Sequence, residues 1–223
     1  MKKLFSSSVG QKLIMSLSGL FLITFILVHL LLNLLLLVGP EAYNKAVHFM
    51  ATNPLMHLME PVLAAGFIFH IIYATILTLQ NQKARPEAYA VVDQSESSSW
   101  ASRNMYVLGG LVFIFIALHL VNFFFKMKFG VGGDLPKVVY EGIKMDDAYP
   151  LVSGLFKVWW YAVIYVIGAV LLALHLRHSL WSALQTLGMN NSNLRPILEN
   201  ISILYAVIIG LGFSIIPIYF LIS

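Results

Sequence analysis

Residues 13–40 read LIMSLSGLFLITFILVHLLLNLLLLVGP, a run with no Asp, Glu, Lys or Arg. A helix needs about 20 apolar residues to cross the hydrocarbon core of a bilayer, so this run is long enough. It lacks the strict alternation of a half-buried strand and reads as helix. Near its middle stands His29. The same oddity recurs in GFIFHIIY (His70), IFIALHLVNFFF (His119) and LLALHLRHSLW (His175 and His178). A histidine in each of four apolar runs needs a physical cause.

Composition sets the class. Of the 223 residues 59% are hydrophobic and 11% charged, and the mean hydropathy is +0.83, whereas a soluble domain carries about 25% charged residues. Uncharged gaps at 13–40, 61–82, 104–125, 158–176 and 200–223 predict five membrane-spanning helices. Lipid offers backbone groups no water to pair with, so only helices or closed barrels span it. The first run is too long for a signal peptide and lacks a small-residue cleavage site, so it is expected to persist. There is no cysteine, which excludes disulfides, thiolate metal sites and cysteine-held iron–sulfur clusters. The net charge of +4 is scattered along loop ends without a basic block, which gives nucleic-acid binding no support. With the N-terminus inside, Lys2, Lys3, Lys12, Lys83, Arg85, Arg103, Arg177 and Arg195 fall on the inner side. Lys45, Lys126, Lys128, Lys137, Lys144 and Lys157 fall outside. Eight cations against six favours a cytoplasmic N-terminus by the positive-inside rule.

A pass along the chain predicts one membrane domain, an all-α bundle over residues 1–223. Its helices are expected at 12–38, 54–81, 103–126, 157–187 and 196–221, with an amphipathic interfacial segment at 41–51. Asn53 before Pro54 has the form of an N-cap followed by a first-turn proline. The polar DQSESSSW (93–100) reads as a linker, and 126–157 as one long outer loop.

The four mid-run histidines point to a ligand site. A polar group in lipid costs several kcal/mol and commonly marks a pathway, a relay or a ligand. One such histidine is as easily a packed, hydrogen-bonded side chain; one on each of four helices is not. A proton relay calls for carboxylates, and the helix centres hold no Asp or Glu. Neutral imidazoles without thiolates or acids suit metal ligation, and haem iron held by two imidazoles is the natural case. Depth along the helices suggests the pairing. At ~1.5 Å per residue, His29 lies ~25 Å above Lys12 and His119 ~24 Å above Arg103, both in the outer half. His70 lies ~24 Å below Pro54 and His175 ~27 Å below Lys157, both in the inner half. A start at Pro61 would bring His70 to the midplane instead. Two levels of two imidazoles predict two stacked b haems, His29 with His119 outside and His70 with His175 inside.

Gly66, four residues before His70, and Gly168, seven before His175, share those helical faces and would let a flat macrocycle approach, although small residues also serve ordinary membrane-helix packing. His178 stands three residues from His175, ~60° around the helix. It is assigned to the headgroup zone, near a haem propionate, and His175 to the metal. His48 and His57 belong to the outer interface. His57 and Glu60 share a face there, with His48 near in sequence. A quinone takes up protons with electrons, so these three residues form a candidate quinone site, against the plainer reading of solvated interfacial side chains.

The stretches KLIMSLSGLFLITFILVHLLLN, HIIYATILTLQNQKARP and HLRHSLWSALQTLG resemble the di-haem cytochrome b membrane-anchor subunit of succinate dehydrogenase and fumarate reductase (respiratory complex II). The similarity is to the type with five helices in a single membrane chain, and it covers essentially the whole sequence. It implies haem ligands at His29, His70, His119 and His175. It also implies that a serine of the SxSG element, Ser16, Ser18 and Gly19, meets an inner-haem propionate. The resemblance further implies an FAD-bearing flavoprotein and an iron–sulfur subunit docked on the cytoplasmic face of a bacterial inner membrane, with menaquinone as the usual quinone. Whether the complex oligomerises stays open. Some fumarate reductases of this group have a glutamate two residues before the fourth ligand, where this chain has Ala173, so their proton movement does not carry over.

Two other classes compete. One is a di-haem subunit of a formate dehydrogenase, a hydrogenase or a bc-type complex. The bc-type spacing of about thirteen residues between ligands occurs once, from His57 to His70, and no second helix repeats it. The other is a haem-free transporter or anchor, for which midplane acids or broken helices would be expected.

Overall fold

A computed structural model describes residues 7–84, 103–189 and 191–223. Among these, five helices are long and apolar enough to cross a membrane, consistent with a multi-pass membrane protein. They are α1 (Ser8–Val38), α3 (Pro54–Lys83), α4 (Met105–Phe129), α6 (Trp159–Thr186) and α7 (Leu194–Ile222). Here the end of the bundle holding the start of α1 is called proximal and the other distal.

Local chemistry sets the boundaries. Ser7 caps α1 by accepting from the Gly10 amide at 3.1 Å, so the helix begins four residues before the expected 12. At Gly39 φ is 141°, a backbone state that disfavours a side chain, and the chain turns there into the short helix α2 (Pro40–Thr52). Asn53 accepts from the Leu55 amide at 2.9 Å and Pro54 occupies the first turn of α3, the arrangement its sequence predicts.

The distal connection 126–157 is more than a loop. Strands β1 (Lys137–Tyr140) and β2 (Ile143–Asp146) pair antiparallel, Lys137 opposite Asp146 and Tyr140 opposite Ile143. Glu141 and Gly142, with φ of 54° and 79°, make the two-residue turn that matches strand twist. Helix α5 (Tyr149–Phe156) follows. Fully buried Asn44 of α2 fastens this cap: its amide donates to Asp147 at 2.7 Å, and its oxygen accepts from the Ala148 and Tyr149 amides at 3.0 and 3.1 Å. Tyr43 beside it is buried, which pushes its hydroxyl well above the ordinary pKa.

Small residues set the helix packing, as they do where lipid supplies no hydrophobic drive between helices. A Cβ on Gly210 of α7 would stand 2.9 Å from that of Ala173 on α6, and one on Gly212 would stand 2.8 Å from Leu30 of α1. The Tyr205 hydroxyl of α7 donates to the Ile23 carbonyl of α1 at 2.6 Å. Helix α3 differs. It lies along α1, touches α4 little, and has no fully buried residue.

Candidate functional site

Each of α1, α3, α4 and α6 carries one of the four mid-helix histidines, and none of these four rings is fully buried. On α1 and α4, His29 and His119 meet with ring centroids 5.7 Å apart and planes at 85°. Phe25 stacks on His29 at 5.3 Å. Phe123 and Tyr165 stand against His119 at 5.4 and 6.2 Å. The Asn33 amide donates to the His29 carbonyl at 2.8 Å and lies 3.4 Å from its Nε2, so an N–H faces the nitrogen lone pair.

Immediately after His119, residues Leu120–Phe124 form a π-helical turn. Such turns insert one residue and re-aim side chains, frequently at functional sites. Here the turn buries Asn122, whose amide donates to the Tyr165 hydroxyl at 3.1 Å. Nothing in the composition signalled it.

The other two histidines lie toward the proximal end. His70 of α3 is hydrogen-bonded through Nδ1 to Ser18 Oγ of α1 at 3.2 Å, and its Cε1 would stand 3.8 Å from a Cβ on Gly19. His175 of α6 faces α4, where a Cβ on Gly109 would stand 3.5 Å from its Cε1. His70 against α1 and His175 against α4 thus both belong to the proximal half of the bundle. Gly19 precedes His29 by ten residues, and Gly109 precedes His119 by ten. At 1.5 Å per residue both helices place the proximal rings ~15 Å from the distal pair.

This arrangement bears on metal and haem binding. The neighbouring imidazoles of His29 and His119, 5.7 Å apart at their centroids, would be the donors to a metal at the distal level. His175 Nδ1 and the Tyr73 hydroxyl, one turn beyond His70, are buried without a protein partner, which ordinarily costs about 1–3 kcal/mol each. Among the described residues no three His, Cys, Asp or Glu side chains converge on one point. Pairs of nitrogen donors leave the remaining coordination positions to a macrocycle, and the residues fit that group.

The glycines expected beside a macrocycle are otherwise engaged. A Cβ on Gly66 would meet Phe21 at 2.6 Å, and Gly168 is pressed still more closely by Phe115. Periodicity identified their face correctly but could not name the neighbour. Gly19 and Gly109 are the glycines that touch histidine rings. Ala173 points at Gly210, so α7 leaves no room there for a longer acidic side chain.

Other expected site residues are dispersed. Ser16 is buried and lines a proximal cleft of ≈470 Å³ with Lys12, Leu77, Ser182, Gln185 and Thr186. His178 is half-buried and near His175. Glu60 pairs with Lys128 of α4 at 2.6 Å. His57 is exposed and His48 half-buried; among the described residues neither shows a hydrogen bond or ion pair with Glu60. The expected linker 93–100, with Trp100 at its end, lies outside the described residues. In comparisons with known proteins, no family model, no curated protein and no solved structure matches this chain.

Proposed function

We propose that this chain is the membrane anchor and electron-transfer subunit of a succinate:quinone oxidoreductase, holding two b haems through His29 with His119 and His70 with His175. The observation that carries the reading is the 5.7 Å His29–His119 pair, with His70 and His175 about ten helical residues away. Haem, when bound, supplies reversible one-electron chemistry that no side chain here can provide. The protein's share is ligation, spacing and exclusion of water. Four neutral imidazoles offer lone pairs without adding charge to a low-dielectric layer. The aromatic shell of Phe25, Phe123 and Tyr165 keeps water from the distal pair.

The partners follow from the same reading. The chain has no large extramembrane domain among its described residues, so succinate or fumarate chemistry belongs to a flavoprotein and an iron–sulfur subunit docked at the proximal end. Menaquinone, or another quinone, exchanges electrons at the membrane. At the distal end Glu60, with His57 and His48 near in sequence, supplies titratable groups beside an apolar helix. A second quinone position is favoured by the proximal cleft, where Lys12, Ser16 and Gln185 offer donors to a carbonyl.

Haem content of the purified chain tests the reading. Two low-spin haems per chain are expected. His29→Ala or His119→Ala should lose one, and His70→Ala or His175→Ala the other, with His178→Ala retaining both. A fully occupied preparation with one haem, or none, refutes it. Failure to co-purify an iron–sulfur subunit with the tagged chain would refute the complex II assignment while leaving the haem count standing.

A further inference from the structure

We propose that Ser18 is a positioning residue for His70, fixing the ring as the Nδ1–H tautomer with its lone pair on Nε2 and raising the basicity of that nitrogen. The proposal rests on the haem reading above only for its consequence, the potential of the proximal haem.

The hydrogen bonds dictate the tautomer. A serine hydroxyl has one proton to give. Ser18 Oγ gives it to the Met15 carbonyl, 2.8 Å away and one turn back on the same helix. Toward His70 Nδ1, 3.2 Å away, the oxygen can therefore only accept, so Nδ1 carries the hydrogen. A neutral imidazole has one N–H, and Nε2 is left with its lone pair free. The next residue leaves room for the ring: a Cβ built on Gly19 would stand 3.8 Å from Cε1, the carbon between the two nitrogens. The Ser18 hydroxyl thus sets the protonation of the ring.

Among the described residues, His70 is the one of the four histidines with an acceptor on Nδ1. His175 Nδ1 has none, and the polar contact of His29 falls on Nε2. An N–H···O bond on the far nitrogen makes an imidazole a stronger ligand, and losing such a partner typically costs 10–100-fold in metal affinity. The oxidised metal, with its extra charge, gains most from a basic ligand. Ser18 should therefore lower the potential of the proximal haem. A serine that instead donated to a propionate would act oppositely, because its removal leaves the carboxylate charge unshielded and lowers the potential. The sign of the shift separates the two roles.

The test is a mediated redox titration of the purified haem-loaded chain, with His70→Ala identifying the proximal component. Ser18→Ala should raise that midpoint by ~59 mV for a tenfold loss of ferric preference. Ser18→Thr, whose hydroxyl can also reach a carbonyl one turn back, should restore it, and Thr24→Ala on the same helix, where an exposed hydroxyl donates to the Leu20 carbonyl, should leave it unchanged. Retention of both haems with an unchanged or lowered midpoint in Ser18→Ala overturns the proposal. If Ser18→Ala loses the proximal haem, retention in Ser18→Thr supports it and loss in both overturns it. Nitrogen NMR of the chain without haem reads the tautomer directly. A single Nδ1–H form in the wild type that becomes mixed in Ser18→Ala supports the proposal even if no haem binds; the same mixture in both overturns it.

Discussion

Gly109 is the position where the two-level arrangement can be broken with a single side chain. A Cβ there would lie 3.5 Å from His175 Cε1 and 3.9 Å from Nδ1, which is ordinary van der Waals contact. Gly109→Ala should therefore fit, and an alanine in mid-helix gains up to about 1 kcal/mol over glycine. On the two-haem reading, haem content should stay at two. Gly109→Leu carries its branched end into the volume the imidazole now fills. Overpacking of this kind costs about 1–3 kcal/mol. That is too little to unfold a five-helix bundle and enough to rotate His175 away. One haem should be lost, and redox titration should show that the proximal component is missing. Gly110 is the control, because a Cβ there meets nothing within 4 Å; Gly110→Leu should keep both haems. Two haems with an unchanged proximal midpoint in Gly109→Leu, or equal damage from Gly110→Leu, would refute the placement of His175 against α4.

Two further substitutions separate the cap from the quinone chemistry. Asn44→Ala strands two backbone amides and one Asp147 oxygen, so the chain should lose about 3 kcal/mol, seen as a lower unfolding midpoint in detergent; an unchanged melt would show that the cap does not depend on Asn44. Glu60→Gln keeps size and hydrogen bonding while removing the titrating proton. The partly exposed Glu60–Lys128 pair is worth at most about 1 kcal/mol, so folding and haem content should hold while quinone-coupled turnover falls and dye reduction at the soluble subunits persists. Unchanged turnover would move the quinone to the proximal cleft around Ser16 and Lys12.

The spanning helices are legible in the sequence because lipid imposes a single requirement, some twenty residues without charge, and these gaps meet it. The histidines are legible because each interrupts such a gap. What was hidden depends on contacts between segments. The connection 126–157 is charged enough to read as a loop, although VVYEGIKMD contains a hairpin whose turn, Glu141 and Gly142, is the local clue. The π-helical turn after His119 leaves no compositional trace, since Asn122 looks like any interfacial asparagine until Tyr165 is placed beside it. For Gly66 and Gly168 period 3.6 gives a face, while only the fold says that Phe21 and Phe115 occupy it.

One signal was present in the sequence and becomes readable only with the fold. Glycine followed by histidine ten residues later occurs on α1 (Gly19, His29), α4 (Gly109, His119) and α6 (Gly168, His178). Ten residues at 3.6 per turn rotate a helix by ~80° short of three turns, about the angle between adjacent neighbours at a corner of a four-helix bundle. A helix so marked offers one neighbour a bare backbone and, ~15 Å further on, turns an imidazole toward another. On α1 the bare backbone receives His70 from α3 and the imidazole goes to His119 on α4. On α4 the bare backbone receives His175 from α6, while its imidazole answers α1. Helices α3 and α6 need one histidine each and no matching glycine at the distal level, because there α1 and α4 meet each other directly. On α1 and α4, which run in the same direction, this spacing accompanies both levels; on α6, which runs the other way, Gly168 receives Phe115 and not an imidazole. Moving either Gly19 or Gly109 by a single residue would swing it ~100° away from the ring it accommodates.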